Sequence, residues 1–277
     1  MRQDTTTWTV QHGVKMGHYH RDKFGNCQDA AGVFIRNSPS PMQPPDLRDK
    51  FGEWVGGFIA DGCGEGQHSE VGANQAARMA IRQMHHLMMQ GYPPATIPDL
   101  LFSDILRYIN GNVTDNCLNT YDYGERAELI ADYWLFTALG VIMSGDQGVI
   151  FHAGDGVYSI DDDMTVLDQN NAPTYPGYAC IQDPARFGVA EQFIPKRFTT
   201  VTFNPNEIDR VMIASDGFTN HTDAMLRDPE LPDSLHGQQW GRKGKIGLKL
   251  WMNTRSNKGY FNDDCAIITV ERKPPDA

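Results

Sequence analysis

The stretch VGGFIADGCGEG, residues 55–66, joins an apolar run to an Asp-Gly pair and a glycine-rich turn. The apolar run from Glu53 to Ala60 tolerates glycine and predicts a buried β-strand that ends on Asp61. Because Asp and Gly are favoured in turns, the chain is expected to reverse direction there. The strand thus carries a carboxylate to the point where the chain leaves the core, which is a costly place for an unpaired charge.

Two long helices are predicted after this stretch. Ser69 is expected to cap the first, and apolar residues then recur at spacings of three and four, which is typical of one buried helix face. These residues are Ala73, Ala76, Ala77, Ala80, Met84, Leu87 and Met88. After a break at Gly91 and two prolines, a second helix is predicted from Ile97 to about Asn119. The short break predicts two antiparallel helices packed on a sheet.

Strands are predicted on both sides of the helical region. They are Trp8–Met16 and Ala31–Arg36 before it, and Trp134–Met143, Gly148–Ala153, Val157–Ile160, Asp209–Ala214 and Cys265–Val270 after it. A short helix is predicted around Gly247–Asn253, an exposed loop at Asn37–Lys50, and a surface segment beside a site at Asp168–Pro195. The order of strands, helices and strands predicts a single α+β domain of layered sheets and helices across residues 1–277.

The composition is that of a globular protein with an acidic surface. The chain has 277 residues, 40% of them hydrophobic, and a formal net charge of -11. Nucleic-acid binding depends on Lys and Arg neutralising phosphates, so this charge argues against a nucleic-acid partner and against a nuclease. The five cysteines form no Cys-x-x-Cys pair, the N-terminus has no apolar core, and no apolar run is long enough to cross a membrane. We therefore expect a cytoplasmic, monomeric protein with no membrane association.

Five short segments each place an Asp where an apolar strand meets a turn. They are Asn26–Asp29, Ile59–Gly62, Ala153–Gly156, Ile213–Gly217 and Asn262–Asp264. Buried strands that converge on one sheet edge would bring these carboxylates together, and close carboxylates repel unless a cation or a proton lies between them. Oxygen ligands suit hard cations such as Mg²⁺ and Mn²⁺, and the segments lack the His and Cys clusters that zinc prefers. The pattern predicts a metal-dependent phosphohydrolase.

In order and spacing, these segments resemble the motifs of one enzyme family. The stretches that carry the resemblance are HYHRDKFGNCQDA (18–30), VGGFIADGCGEG (55–66), FHAGDGVYSID (151–161), IASDGFTN (213–220) and NDDCAIITV (262–270). Together they look like the metal-dependent serine/threonine protein phosphatases of type 2C, the PPM family, and in particular a bacterial branch with Cys-Gln-Asp in the first motif. The resemblance implies a four-layer α/β/β/α sandwich with antiparallel sheets, and hydrolysis of phosphoserine and phosphothreonine in proteins.

The resemblance also implies a centre of two Mn²⁺ or Mg²⁺ ions with a third, weaker position. Carried over by position, its ligands are Asp29, Asp61, the Gly62 carbonyl, Asp155, Asp216 and Asp263. Asp61 would bridge the two main ions, and Asp155 with Asp216 would form the third position. A hydroxide bridging the ions would attack phosphorus, so Asp61 and Asp29 also count as catalytic residues. Asp264 falls where many relatives carry Asn and ranks below Asp263.

Two positions depart from the family pattern. Gln28 replaces a carboxylate in the first motif, and a neutral amide binds a divalent cation less tightly. Cys63 stands where the family often carries a histidine assigned as general acid for the leaving group, and a cysteine of ordinary pKa is a poor substitute. His20 and His68 are the alternatives for that acid.

A basic side chain is also needed to hold the phosphate, and Arg21 and Lys23 lie in the right loop. Because the catalytic inventory is incomplete, two functions remain open. The first is an active phosphatase, with a phosphoprotein as substrate and a cognate serine/threonine kinase as a further partner. The second is an inactive pseudophosphatase that acts as a regulatory binding module. The crowded carboxylates favour the enzyme, since they are costly without a cation.

Overall fold

Two five-stranded antiparallel sheets form the centre of the computed structural model, which describes residues 8–22, 25–36, 52–119, 122–169, 172–219, 247–257 and 260–273. The strands in chain order are β1 (Trp8–Lys15), β2 (Asp29–Arg36), β3 (Trp54–Gly62), β4 (Phe136–Ser144), β5 (Gln147–Ala153), β6 (Gly156–Ile160), β7 (Asp163–Leu167), β8 (Thr199–Phe203), β9 (Arg210–Ala214) and β10 (Cys265–Arg272). One sheet has the order β1-β10-β9-β6-β7 and the other the order β2-β3-β4-β5-β8. The loop predicted at Asn37–Lys50 lies outside the described residues, as does Lys23.

Helices cover the outer faces of both sheets. In chain order they are α1 (His18–Asp22), α2 (Ser69–Met89), α3 (Ile97–Asn116), α4 (Tyr123–Tyr133) and α5 (Gly247–Asn257). Helix α2 packs on β2 and β3, helices α3 and α4 pack against α2, and α5 packs on β1. This confirms the four-layer α/β/β/α sandwich with antiparallel sheets that the resemblance implies. None of these described helices is long and apolar enough to cross a membrane.

The stretch at residues 55–66 forms most of β3, which is buried on both faces. Phe58 packs into the core under the helices, whereas Ile59 packs into the core between the two sheets. This double burial explains why the run is continuously apolar rather than alternating. Gly56 leaves room for the Phe34 ring of β2, since a β-carbon at this position would overlap it.

Four described elements go beyond the sequence predictions: α1, α4, β7 and β8. Helix α4 buries only Ala127 and Ile130, and β7 and β8 expose most of their residues. These elements bury few side chains because they lie at the edges of the core, and their apolar sequence patterns are therefore weak. Helix α4 does carry a signal that sequence reasoning missed, since Asp122 caps it by accepting hydrogen bonds from the amides of Gly124 and Glu125.

One prediction of local structure is wrong, and another holds only in part. Ser69 does not cap α2, because it is the first helical residue and its hydroxyl donates to the Cys63 carbonyl at 2.8 Å. The segment Asp168–Pro195, predicted as a surface loop, is in part buried, since Tyr175 and Cys180 belong to the core under the helices. Its composition predicts turns, and a short 3₁₀ turn does form, but this turn packs against α3 and α4.

Helix α2 closely approaches the C-terminal end of α4 at Gly72. A β-carbon there would overlap the carbonyl oxygen of Tyr133, so Gly72→Ala should lower the free energy of unfolding by about 1–3 kcal/mol. Gly111 in α3 is the control, because a β-carbon there meets nothing within 4 Å. Gly111→Ala should stabilise the protein by about 0.5–1 kcal/mol, since alanine has the higher helix propensity. Urea denaturation measures both changes, and effects of the same sign would contradict the packing of α2.

Candidate metal centre

A pocket of about 360 Å³ lies where several strands of the two sheets begin or end, and acidic side chains dominate its lining. The lining residues are Tyr19, His20, Gln28, Asp61, Gly62, Cys63, Gly64, Glu65, Thr137, Asp155, Pro173, Tyr175, Asp216, Asp263 and Asp264. All the predicted ligands except Asp29 line this pocket, and Asp29 is buried beside Asp61. The fold therefore brings together segments that are far apart along the chain.

The antiparallel pairing of β2 with β3 explains why Asp29 and Asp61 meet. Its register places Asp29 directly opposite Asp61. Side chains directly opposite in such a pair lie about 4.5–5.5 Å apart, so the two carboxyl groups share one small space. Asp216 joins them just after β9, and the Asp61 carboxyl lies within hydrogen-bonding reach of both Asp29 and Asp216. Carboxyl groups from three strands thus converge.

Burial and mutual repulsion make these carboxyl groups hard to ionise. Burial raises the pKa of Asp29 to about 7, and the charges of Asp264 and Asp216 add to the effect. Burial also raises the pKa of Asp61 well above its ordinary value, followed by the charges of Asp29 and Asp216, and it raises the pKa of Asp216. The pKa of Asp155 is raised to about 6 by burial and by Asp216. The protein's own groups therefore supply too little positive charge to balance these carboxylates.

The donor set of the pocket fits hard divalent cations. Asp29 Oδ2 accepts a hydrogen bond from Ser215 Oγ at 2.6 Å, whereas the buried Oδ1 has no hydrogen-bond donor among the described residues. A buried oxygen without a donor is costly unless a proton or a cation satisfies it. Carboxylate oxygens and a backbone carbonyl such as that of Gly62 are the ligands that Mg²⁺ and Mn²⁺ prefer. The residues present are therefore of the kind that can hold these ions.

Asp263 and Asp264 are adjacent in sequence but have different surroundings. Asp264 has only 3% of its side chain exposed, and it accepts hydrogen bonds from the backbone amides of Gly17 at 2.8 Å and Gln28 at 2.6 Å. Asp263 has 46% of its side chain exposed and lines the pocket. Asp264 thus holds two loops together, while Asp263 is open to a ligand.

His20 lines the pocket, as expected of a group that takes part in catalysis. Its Nδ1 lies 2.9 Å from Asp264 Oδ2 and 3.9 Å from Asp263 Oδ1. The first contact has the length of an ion pair, but its direction is not that of a hydrogen bond, and Nδ1 is buried without another partner among the described residues. The imidazole is thus turned towards carboxylates.

Arg21 and His68 do not line the pocket. The Arg21 guanidinium donates to the Met16 carbonyl at 3.4 Å and to Ser256 Oγ at 3.1 Å, because α1 directs this side chain towards α5. The His68 ring packs beside Tyr133, with centroids 4.9 Å apart. The structure therefore does not support Arg21 as the group that holds phosphate, nor His68 as the acid.

Gln28 ties the first motif to the turn after β3. Its side-chain amide donates to the Cys63 carbonyl at 3.3 Å and to Ser69 Oγ at 3.0 Å. Sequence reasoning treated Gln28 as a weakened ligand and missed this positioning role. It also missed Thr137 at the site, because the only signal for that residue is its place opposite Asp61 in the β3–β4 register.

Solved structures show the same fold. The chain is similar to the serine/threonine phosphatase Stp1 from Staphylococcus aureus, with 13% identity, 97% of this chain and 96% of that chain covered, and a TM-score of 0.57. It is also similar to the catalytic domain of the serine threonine protein phosphatase PstP, solved in complex with 2 manganese ions. The identity is 16%, the alignment covers 98% of this chain and 100% of that chain, and the TM-score is 0.53. A third similar structure is that of PppA, a key regulatory component of T6SS in Pseudomonas aeruginosa. The identity is 13%, the alignment covers 97% of this chain and 99% of that chain, and the TM-score is 0.56.

Sequence comparison identifies the family. A search of curated proteins finds no match. A family model described as protein phosphatase 2C matches residues 16–253, a range that holds every predicted ligand except Asp263. Since this match spans most of the chain, the protein belongs to the protein phosphatase 2C family.

Proposed function

We propose that this protein hydrolyses phosphoserine and phosphothreonine in proteins with the help of two Mn²⁺ or Mg²⁺ ions. The observation that carries the proposal is the convergence of the carboxyl groups of Asp29, which is buried, and of Asp61 and Asp216, which are half-buried; the pKa values of all three are raised. Carboxyl groups crowded in this way are stable in their ionised form only when cations balance them. Membership of the protein phosphatase 2C family supports the same activity.

The proposed ligands follow from position in and behind the pocket. They are Asp29, Asp61, the Gly62 carbonyl, Asp155, Asp216 and Asp263. Asp61 is suited to bridge two ions, because its carboxyl group lies within reach of those of Asp29 and Asp216. Asp155 is suited to a third, weaker position, because its charge interacts with that of Asp216. The two manganese ions in the structure of PstP support a centre of this size.

The metal ions and the protein's own side chains have different roles in the proposed hydrolysis. When bound, the ions supply a water acidic enough to become a nucleophile and positive charge that offsets the phosphate. Asp29 and Asp61 would hold the ions and, as acceptors, would orient such a water for in-line attack on phosphorus. Among the described residues that line the pocket none is Lys or Arg, so the wall offers phosphate only neutral donors and His20.

We further propose a phosphoprotein as substrate and a serine/threonine kinase as the enzyme that produces it. The protein would act as a cytoplasmic monomer, with residues 1–277 as one domain. The segment 168–195 would form a flap beside the substrate, and its Pro173 and Tyr175 do line the pocket. Light scattering of the purified protein tests the monomer, and phosphoproteomics of a deletion strain tests the class of substrate.

A second candidate function is a regulatory binding module without turnover. It is favoured by Cys63, which lines the pocket where the family often has a histidine, and by Arg21, which is directed away from it. An assay of the purified protein with excess Mn²⁺ on p-nitrophenyl phosphate and a phosphothreonine peptide decides between the two. Binding of Mn²⁺ without turnover would support the module, whereas no Mn²⁺ binding in calorimetry would contradict the metal centre.

Removing a ligand charge should have opposite effects without and with metal. Asp61→Asn and Asp216→Asn relieve repulsion in the crowded site, so each metal-free variant should be more stable than wild type by roughly 1–3 kcal/mol. With Mn²⁺, wild type should gain melting temperature and turn over substrate, while the variants should gain little and lose turnover. Asp163→Asn, exposed on β7, is the control and should behave as wild type. A metal-free variant less stable than wild type would contradict the crowding.

Metal-free protein should lose stability as the pH rises towards neutral. The pKa values of Asp29, about 7, and Asp155, about 6, lie above the ordinary value of 3.8. The native state therefore holds protons that the unfolded chain has already released, so this contribution is present below about pH 4 and lost by about pH 7. Bound Mn²⁺ needs ionised carboxylates and should grow more stabilising over the same range. Thermal melts across this range with EDTA and with Mn²⁺ measure both trends, and parallel curves would refute them.

Asp263→Asn and Asp264→Asn form a matched pair of neighbours. Asp264 is a buried acceptor for two backbone amides, so Asp264→Asn should lower the free energy of unfolding by about 1–3 kcal/mol. Asp263 is exposed, so Asp263→Asn should leave stability nearly unchanged and weaken Mn²⁺ binding by at least about 10-fold. Denaturation and calorimetric titration separate the two effects. Wild-type Mn²⁺ affinity in Asp263→Asn would show that Asp263 is not a ligand.

A further inference from the structure

The pocket has many hydrogen-bond acceptors and few donors. Its described lining residues with a side-chain proton to donate are Tyr19, His20, Gln28, Cys63, Thr137 and Tyr175. When a phosphoester is cleaved, negative charge develops on the ester oxygen that leaves with the protein substrate. A preorganised donor at that oxygen stabilises the transition state more than the ground state. The question is which of these side chains is placed for that task.

Most of these donors are occupied or badly placed. The Gln28 side-chain amide donates to the turn after β3. The His20 imidazole faces Asp264. Thr137 lies opposite Asp61 in the neighbouring strand, among the carboxylates. Tyr19 is 57% exposed, and its ring packs edge-on against that of His20. Cys63 is a weak donor by its chemistry.

Tyr175 is held rigidly at the pocket wall. It is 8% exposed, it precedes the 3₁₀ turn Pro176–Cys180, and its ring packs edge-on against Tyr178 with centroids 5.3 Å apart. Gly177 in that turn lies so close to the Trp134 carbonyl that a β-carbon would overlap it. The turn cannot shift without disturbing the core, so the position of the Tyr175 side chain is preorganised.

Tyr175 and Cys63 both line the pocket, and the thiol of Cys63 interacts with the tyrosine hydroxyl. A phenol has an ordinary pKa of about 10, so the Tyr175 hydroxyl keeps its proton at neutral pH. A thiol is a weak hydrogen-bond partner, so a charged substrate oxygen can replace it at little cost. Tyr175 therefore offers a protonated donor at the pocket wall, and a substrate oxygen can take the place of its thiol neighbour.

We propose that Tyr175 donates a hydrogen bond to the leaving-group oxygen of the phosphoester, an inference that rests on the phosphatase activity proposed above. Asp29, Asp61 and Asp216 hold the nucleophile, and in-line attack puts the leaving oxygen on the opposite side of phosphorus. Tyr175 enters the pocket from a separate segment, between β7 and β8. Its hydrogen bond strengthens as the ester oxygen gains charge, so it acts on kcat rather than on KM alone.

Substrates with different leaving groups test this role. Tyr175→Phe removes the hydroxyl and keeps the ring. Its kcat should fall about 100-fold for a phosphothreonine peptide, whose alkoxide leaves poorly, and stay within about twofold for p-nitrophenyl phosphate, whose phenolate needs little help. A series of substituted aryl phosphates should show a steeper dependence of rate on leaving-group acidity in the variant. Tyr178→Phe is the matched control, because Tyr178 does not line the pocket, and it should match wild type on every substrate.

The results separate this role from the proposed function. Equal loss on both substrates, or no loss on either, would overturn the role of Tyr175 and leave the phosphatase activity standing. A wild type that hydrolyses neither substrate with excess Mn²⁺ would overturn both. An equal rise in melting temperature with Mn²⁺ in all three proteins shows that each folds and binds metal. Should Tyr175→Phe be unstable, the aryl phosphate series on wild type decides, since a dependence as steep as that of the uncatalysed reaction would overturn the role.

Discussion

The carboxyl groups of Asp29 and Asp61 face each other across two antiparallel strands, and their repulsion determines what the surrounding structure must supply. The register that opposes them is held by apolar side chains on both faces of β3. A slip of one residue would exchange the side chains of the two cores, so burial makes the pairing specific. The hydrophobic cores thus offset an electrostatic cost at their own edge, and a cation at that edge would remove it.

Hydrogen bonds to Asp264 and from Gln28 connect the segments around this pair. Asp264, just before β10, reaches the loop before α1 and the loop before β2 through the amides of Gly17 and Gln28. Gln28 in turn holds the Cys63 carbonyl and Ser69 at the start of α2. These hydrogen bonds join four separate parts of the chain at the rim of the pocket. The amide that replaces a carboxylate at position 28 therefore has a structural use here, since a carboxylate could not donate both bonds.

This chain shares the protein phosphatase 2C fold with proteins of very different sequence. Solved structures with 13% and 16% identity align over nearly the whole chain. Layered cores accept many apolar combinations of similar volume, whereas a crowded set of carboxylates has few substitutes. Cys63, which departs from the family pattern, and Tyr175 both line the pocket without belonging to the carboxylate set. Changes at such a wall can alter how a substrate is held and leave the carboxylate set intact.

Sequence alone determined the α+β class, the long helix pair and the strand that ends at Asp61, because apolar spacing records burial locally. The sequence also predicted Asp216 as a site residue, because an Asp beside a Gly at the end of an apolar strand is a local pattern. Weakly buried elements such as α4, β7 and β8 gave too little local signal. Only the tertiary structure decided that Arg21 leaves the pocket, that Asp264 is held by backbone amides and that Tyr175 reaches the site. Those placements depend on strand register and on the packing of distant loops, which spacing along the chain does not encode.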